Sequence, residues 1–529
     1  MISKKILGKK GSVALSPSTI SSTDEQSLLG LPEMFVDEQS YSVVDYSEQV
    51  PAFPYPYQGT GFGKLKPTQL KVDTLLSQKG LSLTLTQDSF SREFKLHYPA
   101  FIWDSFPNTS KLVLRDHISL LSTMELGIMH ELTAQNYNTP MPLLKSFFME
   151  LLVRNLFYCG DADKDKINTY LARFSRLRYD FAKDVQGMRI SPFLTSEGSV
   201  NTLTFGKESL LCFGLSKEMG LNPKPVTITE PDWNYIYKGE KIRTFENKHK
   251  SVLIDAFEKE FGVAVHKVHN NLGYLRSFGH WDMDITELGW SSQLTEYLFF
   301  LLPFNYYYRS KYMVFGNEHS CDSSYINNEG YKCSVVYDQS SEWVSHMDVM
   351  LRSLTRGSVQ VTSLVQPLHE MAVAKVLYQR YPELAKYQLS CHVDFDSAEY
   401  SRWCGQCSKC ARCYVFMKAL GFDPACVGLK EMSGKEYQKY FSLFKTSKDM
   451  RGFDSLGFGR DEQLFAFFLA VERGVCGELF DLFKKKYYKE AKKRESALRQ
   501  EFFTVHDPAN IPSELWKKLK PIFEEELSR

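Results

Sequence analysis

The chain has 529 residues, and its 64 Lys and Arg against 63 Asp and Glu leave a formal net charge of +1. That balance excludes a protein that coats nucleic acid through bulk charge. Mean hydropathy is −0.31 and no run approaches the ~18 apolar residues of a spanning helix, so a membrane protein is not expected.

The chain opens with Lys4-Lys5 and Lys9-Lys10, and no apolar stretch of signal-peptide length follows. A reducing, cytoplasmic setting is therefore expected. The 11 cysteines, an odd number with none before Cys159, fit a disulfide framework poorly. Residues 1–75 are expected to be a flexible tail, rich in Ser, Thr and Pro between Ser16 and Thr23. Pro51 to Tyr57 reads as an extended, polyproline-like arm.

Residues 76–197 read as an accessory α+β domain. Leu81, Leu83 and Leu85 alternate with Ser and Thr and share one face of a half-buried strand spanning 81–98. Apolar residues recurring every three or four positions predict helices over 117–137 and 143–159, separated by Pro140 and Pro142. Asp161, Asp163 and Asp165 superficially resemble a calcium loop. Lys166 stands where that loop needs glycine and Ala172 where it needs glutamate, which rejects an EF-hand.

From residue 198 strands and helices alternate. Strands are predicted over 200–205, 225–229, 263–269, 312–315 and 360–364, and helices over 208–219, 249–261, 291–308, 341–355 and 370–381. This rhythm predicts an α/β fold with a doubly wound parallel sheet across residues 198–428, with ligands beyond the carboxyl ends of the strands. Residues 429–529 read as a helical extension, with helical patterns over 429–448 and 460–499. Eight basic and two acidic residues fall between Lys484 and Arg499. A solvated helix face is the first reading, and a contact to nucleic acid or an acidic partner the less favoured one.

Three groups of residues carry chemistry. The turn Thr204-Phe205-Gly206-Lys207-Glu208-Ser209 links a strand to a helix, so backbone N–H groups and the positive end of the helix face an anion. It is not a Walker A loop. Gly316-Asn317-Glu318-His319-Ser320 follows the strand at 312–315, where α/β folds bind ligands. The turns at 337–342 and 366–370 sit equivalently and are more simply read as structural. Cys391, Cys404, Cys407 and Cys410 have the spacing of a tetrahedral zinc site, with an iron–sulfur cluster and free thiols as the alternatives. Cys413 is a buried spare, and Lys409 and Arg412 would offset the thiolate charge.

Together these residues resemble the PP-loop (N-type) ATP pyrophosphatases of the 7-cyano-7-deazaguanine synthase type, and most the UDP-N-acetylmuramoyl-L-alanyl-L-glutamate epimerase branch. The family's Ser-Gly-Gly-x-Asp-Ser loop aligns with Thr204–Ser209. Its Gly-Asn-Glu-x-Ser motif is met by Gly316, Asn317, Glu318 and Ser320. Its zinc motif is met by Ser390, Cys391, Trp403, Cys404, Gly405, Cys407, Lys409 and Cys410. Thr204, Phe205 and Glu208 replace Ser, Gly and Asp, and Phe205 puts a ring where the backbone would approach phosphate.

The resemblance, spanning about residues 198–424, implies a PP-loop (HUP-like) fold and an enzyme that uses ATP and Mg²⁺ to convert a carboxylate to an acyl-adenylate with pyrophosphate release. Epimerisation, or amide or nitrile formation, would follow. It implies nucleotide contacts from Thr204, Gly206, Lys207, Glu208, Ser209, Gly316 and Asn317. Catalytic roles would fall to Lys207, Glu208, Glu318 and His319, with structural Zn²⁺ on the four cysteines. The substrate would be a small-molecule or peptide-conjugated carboxylate. A catalytically weakened nucleotide-binding scaffold and a nucleic-acid-modifying PP-loop protein are the alternatives.

Overall fold

The structure is a computed structural model that describes residues 62–163, 167–184, 189–237, 240–283, 287–391, 393, 396–445 and 457–528. Of the tail expected over residues 1–75, residues 1–61, with the arm at 51–57, lie outside the described residues, whereas residues 69–75 belong to a strand that buries Leu70 and Val72 and pairs on both edges.

In chain order the elements begin with β1 (Gln69–Ser77), β2 (Gly80–Gln87), β3 (Phe90–His97), α1 (Ala100–Ser105), α2 (Asn108–Leu121) and α3 (Leu126–Met129). Next come β4 (Ala134–Pro140), α4 (Lys145–Ala162), α5 (Ile167–Arg176) and β5 (Arg178–Lys183). The alternating region holds β6 (Ser196–Thr202), α6 (Lys207–Glu218), β7 (Lys224–Thr229), β8 (Asn234–Tyr237), β9 (Glu240–Arg243), α7 (Glu246–Phe261) and β10 (His266–Asn270). It continues with α8 (Gln293–Tyr308), β11 (Ser310–Phe315), β12 (Ser324–Ile326), β13 (Lys332–Ser334), α9 (Ser341–Thr355), β14 (Gln360–Ser363), α10 (Glu370–Arg380) and α11 (Pro382–Ala385). The chain finishes with α12 (Ser408–Leu420), α13 (Gly457–Glu472), α14 (Glu478–Lys486), α15 (Tyr488–Phe502) and α16 (Ser513–Ser528).

Ten strands form one sheet in the order β14-β11-β6-β7-β10-β3-β2-β1-β4-β5. The block β14-β11-β6-β7-β10 is parallel throughout. Within it the chain steps outward from β6 to β7 and β10, then crosses back to β11 and β14. The strand order therefore reverses between β6 and β11, the switch point at whose carboxyl ends such sheets form a crevice. The expected parallel doubly wound sheet is present in this block.

The rest of the sheet extends it. β3 pairs antiparallel with β10, His269 opposite His97, and carries the N-terminal strands into the same sheet. Both faces of the sheet are covered. Along β11, Tyr312 and Val314 enter one core with α6, α10 and α12, while Met313 and Phe315 enter the other with α2, α8 and α9. Strands buried on both faces read as continuous apolar runs, which is why β11 is legible as Tyr-Met-Val-Phe.

Three further expectations change. Residues 117–137 do not form one helix: α2 stops at Leu121, Glu131 turns the backbone to φ +60°, and β4 pairs parallel with β1. The apolar period persists through α3 at Leu126–Met129, so periodicity alone hides the break. Residues 81–98 are two strands, because Asp88 takes φ +51° and folds β3 back onto β2. Residues 429–448 hold 3₁₀ turns at Lys435–Tyr440 and Ser442–Phe444 in place of a long helix, and residues 446–448 lie outside the described residues.

The helical pattern over 460–499 divides into α13, α14 and α15. These helices and α16 bury Phe465, Phe467, Phe468, Phe483, Phe502 and Phe523 in the core shared with α6, α10 and α12. Among the described residues no helix is long and apolar enough to cross a membrane.

Candidate functional site

The crevice between β6 and β11 is lined first by the turn that leads into α6. Phe205 sits in the left-handed region at φ +62°, a conformation that normally favours glycine. Its ring points away from the turn into the core, edge-on to Phe257 at 5.8 Å, and its carbonyl accepts from Leu389 N at 2.7 Å. The phenyl group expected in the path of a phosphate is thus packed beneath the turn. Leucine and phenylalanine neighbours hold a backbone shape that the side chain itself disfavours.

The mouth of the turn is polar. Thr204 is exposed, and its N–H and hydroxyl both donate to Ser209 Oγ at 3.2 Å. Ser209 Oγ donates to the Gly206 carbonyl at 3.0 Å, and Gly206 N donates to Thr204 Oγ1 at 3.3 Å. The hydroxyls are folded back over the start of α6 by long bonds that an incoming anion could replace. Gly316 closes the crevice from the β11 side. A Cβ there would lie 2.8 Å from Glu208 Cβ and 3.2 Å from Ser209 N, so only glycine permits this approach.

Lys207 does not extend into solvent. It is 4% exposed, and its Nζ contacts Glu208 Oε1 and lies 2.5 Å from Glu370 Oε1. Glu370, 3% exposed, also receives Arg412 Nε at 2.9 Å on its other oxygen. Arg412 thus meets a carboxylate rather than the thiolates beside which it was expected. Burial alone would lower the Lys207 pKa, but the Glu208 and Glu370 charges outweigh it and hold the ammonium well above its usual range. Burial likewise opposes ionisation of Glu370, and the Arg412 and Lys207 charges overcome it, so its carboxyl titrates below the ordinary value.

Two further carboxyls respond the other way. Burial, then the Glu208 charge, pushes Glu318 up to about 7. Burial and the Glu370 charge push Glu462, on α13, up to about 8. Glu462 Oε1 accepts from Met371 N at 2.6 Å and so ties α13 to the start of α10. Asn317 is buried, with its N–H donating to Ser363 Oγ at 2.9 Å and its carbonyl accepting from the same hydroxyl at 2.7 Å.

His319 gathers with two other imidazoles. One ring nitrogen each from His319, His369 and His506 lies within 4.8 Å of the others. Burial, with the neighbouring imidazoles, lowers the pKa of His319 and of His369.

The four expected cysteines converge. The sulfurs of Cys391, Cys404, Cys407 and Cys410 all lie within 4.8 Å of one another, and the cluster could hold a metal ion. Backbone N–H groups of Val393, Gln406 and Cys410 point at Cys391, Cys404 and Cys407 sulfurs at 3.2, 3.3 and 3.4 Å. Such donors stabilise thiolates. Cys407 caps α12, so the second Cys-x-x-Cys pair straddles a helix start. Cys413 lies one turn on, buried, with Gln388 Nε2 at 3.6 Å from its sulfur, and stands outside the cluster. Four converging sulfurs fit zinc by donor type.

No protein-family profile matches the chain, and no curated protein matches it.

Glu370 and Glu462 were not among the residues singled out for chemistry from the sequence, and Arg412 was read only as a counter-charge to the thiolates. Glu370 carried a signal, an acidic residue at the start of the helix that follows the strand predicted over 360–364. Nothing in the sequence tied Arg412 to Glu370 or marked Glu462, since both reach the site only through the packing of α12 and α13. Gln339-Ser340-Ser341-Glu342 is structural: Ser340 Oγ caps α9 by accepting from Trp343 N at 3.2 Å.

Proposed function

We propose that the chain is an ATP-dependent enzyme that activates a carboxylate as an acyl-adenylate with release of pyrophosphate. The observation that carries this reading is the crevice between β6 and β11. There the start of α6, Lys207, Glu208 and Glu318 meet under a glycine that only a bare backbone could replace. Motif and topology agree on that place, and a parallel sheet binds its ligands there.

In this reading a carboxylate oxygen attacks the α-phosphorus, and the bond to the bridging oxygen breaks with its electrons leaving on pyrophosphate. The carboxylate of Glu208 is a hard oxygen donor that would hold Mg²⁺, which would neutralise charge on the phosphates. The exposed Thr204, Gly206 and the first turn of α6 offer N–H and hydroxyl groups to phosphate oxygens. Lys207, kept charged by its two carboxylates, supplies positive potential where negative charge develops. Glu318, half-buried at the end of β11, is the group placed to take a proton from the second reactant. A zinc ion on the four cysteines would be a structural clasp.

One observation favours a second reading, a nucleotide-binding scaffold without turnover. Lys207 is already neutralised by Glu208 and Glu370, and Thr204 and Ser209 satisfy each other.

The test is pyrophosphate release and product mass spectrometry with ATP, Mg²⁺ and candidate carboxylates: a muramoyl-dipeptide nucleotide, a deazaguanine acid and a protein carboxylate. Carboxylate-dependent release, abolished in Gly206→Asp, is expected. ATP binding with no release selects the scaffold, and no ATP binding together with an inert Gly206→Asp ends both readings.

A further inference from the structure

The cysteine cluster is not the only convergence of ligand-type side chains. His319 follows β11, His369 precedes α10, and His506 lies between α15 and α16, so three segments distant in sequence each bring one imidazole to the same point. Ring centroids are 4.1 Å apart for His319 and His506, 4.9 Å for His319 and His369, and 4.8 Å for His369 and His506.

The other partners of these rings are of the kind that orient metal-bound imidazoles. His369 Nδ1 is 3.0 Å from Ser320 Oγ, and His506 Nε2 is 3.0 Å from the Glu501 carbonyl. Such contacts fix which ring nitrogen remains for an ion. With Nε2 so engaged, Nδ1 is the His506 nitrogen for an ion, and the corresponding His369 nitrogen, Nε2, is already in contact with Glu501. His319 Nδ1 is buried with no hydrogen bond among the described residues, and the nearest carboxylate oxygen paired with it, Asp322 Oδ2, is 3.8 Å away. A buried ring nitrogen in that state is costly unless something else satisfies it. A carboxylate is also at hand, because Glu501 Oε1 lies 3.1 Å from His369 Nε2.

We propose that His319, His369 and His506, with Glu501, form a divalent transition-metal site separate from the cysteine cluster. Imidazole and carboxylate donors select zinc or its neighbours in the first transition row over Mg²⁺ and Ca²⁺, which prefer all-oxygen shells. The His319 and His506 planes lie within 8° of parallel, so a shared ion requires one ring to turn about its Cβ–Cγ bond, a soft torsion. The site pins the segment after α15 over the carboxyl ends of β11 and β14. The same segment is already held there by His506 N donating to the Pro367 carbonyl at 2.9 Å and by Thr362 Oγ1 donating to the Asn510 carbonyl at 2.9 Å. Only this segment supplies His506, so the metal would join the C-terminal helices to the crevice edge.

The test uses the full chain, stripped with a chelator, reloaded with Zn²⁺ or Co²⁺, desalted and counted by elemental analysis. His506→Gln is expected to bind about one ion fewer per chain than the parent, and to lose part of the visible cobalt absorption while keeping the near-ultraviolet bands of cobalt thiolates in full. Cys404→Ser should also bind about one ion fewer, but lose the near-ultraviolet thiolate bands. His319→Gln serves as a second variant should His506→Gln melt below the parent in the metal-free state. An unchanged metal count and unchanged cobalt spectrum in both histidine variants would overturn the proposal. Neither readout depends on ATP turnover, so the result stands apart from the fate of the adenylation reading.

Discussion

At the residue scale the crevice is a balance of buried charges. Lys207 and Arg412 meet Glu208 and Glu370, and removing one partner of such a buried set typically costs ~3–5 kcal/mol by stranding the others. Glu462 stands apart, fully buried, its carboxyl pushed up to about 8 by burial and the Glu370 charge. A raised carboxyl pKa means the folded state binds the proton more tightly than the unfolded chain. Its contribution is complete below the ordinary carboxyl value of 4.5 and is lost as pH rises through about 8. In that window the loss is at most ~1.4 kcal/mol per pH unit. Glu462→Gln keeps the acceptor for Met371 N and removes the titration. Melting temperatures of parent and variant measured between these limits should show a shallower pH slope in Glu462→Gln, and parallel slopes would refute the assignment. Phe205 shows a different trade at this scale. Its left-handed backbone costs ~1–3 kcal/mol, and a ring buried against Phe257 offsets that. Sequence alone shows a bulky residue where the motif it resembles has glycine and cannot show which way the ring turns.

At the element scale, α12 depends on what is bound at its start. Cys407 is its cap and Cys410 lies in its first turn, so two of the four sulfurs belong to the helix and two to the loop before it. Thiolates held this close repel one another, and a divalent ion turns that repulsion into a clasp. Cys404→Ser is therefore expected to lower the thermal midpoint of the metal-loaded protein. The loss would be about 4 kcal/mol where free zinc exceeds its dissociation constant about 1,000-fold. Chelator treatment of the parent should reproduce the shift, and a midpoint indifferent to both would mean the cluster holds no structural ion. The spacing of these cysteines made the site legible because the ligands lie close in sequence. The break between α2 and β4 was illegible for the opposite reason. Leu120, Met124, Ile128 and Leu132 are all buried at helical spacing, although Glu131 ends the run and β4 is chosen by its pairing with β1.

At the scale of the whole molecule, the C-terminal helices are part of the body. Leu464, Phe465, Phe467, Phe468, Phe480, Phe483, Leu519 and Phe523 are wholly buried in the core that carries α6 and α10. At ~1.5–3 kcal/mol per large apolar side chain, uncovering them exceeds the ~5–15 kcal/mol by which a domain is stable. A chain ending at residue 428 is expected to aggregate or elute as large oligomers in size-exclusion chromatography. A soluble, cooperatively melting monomer would show that the extension is dispensable. The basic stretch within it is mostly solvated, as read from the sequence. Its Arg494 pairs with Asp461 and Glu490, and Lys484, Lys485, Lys486, Lys489 and Lys493 are exposed.

By itself the sequence determined the local features: the alternation of strands and helices after residue 198, the turn before α6, the motif after β11 and the four-cysteine spacing. Each is written in residues that are neighbours along the chain, and periodicity, turn chemistry and ligand spacing are local rules. Tertiary structure alone decided what those features meet. It placed the carboxyl end of β6 beside that of β11, set Lys207 between Glu208 and Glu370, and joined the N-terminal strands to the same sheet through β10 and β3. It also brought His506 to His319 and His369. Those contacts join residues far apart in sequence, and only the packing of one element against another selects them.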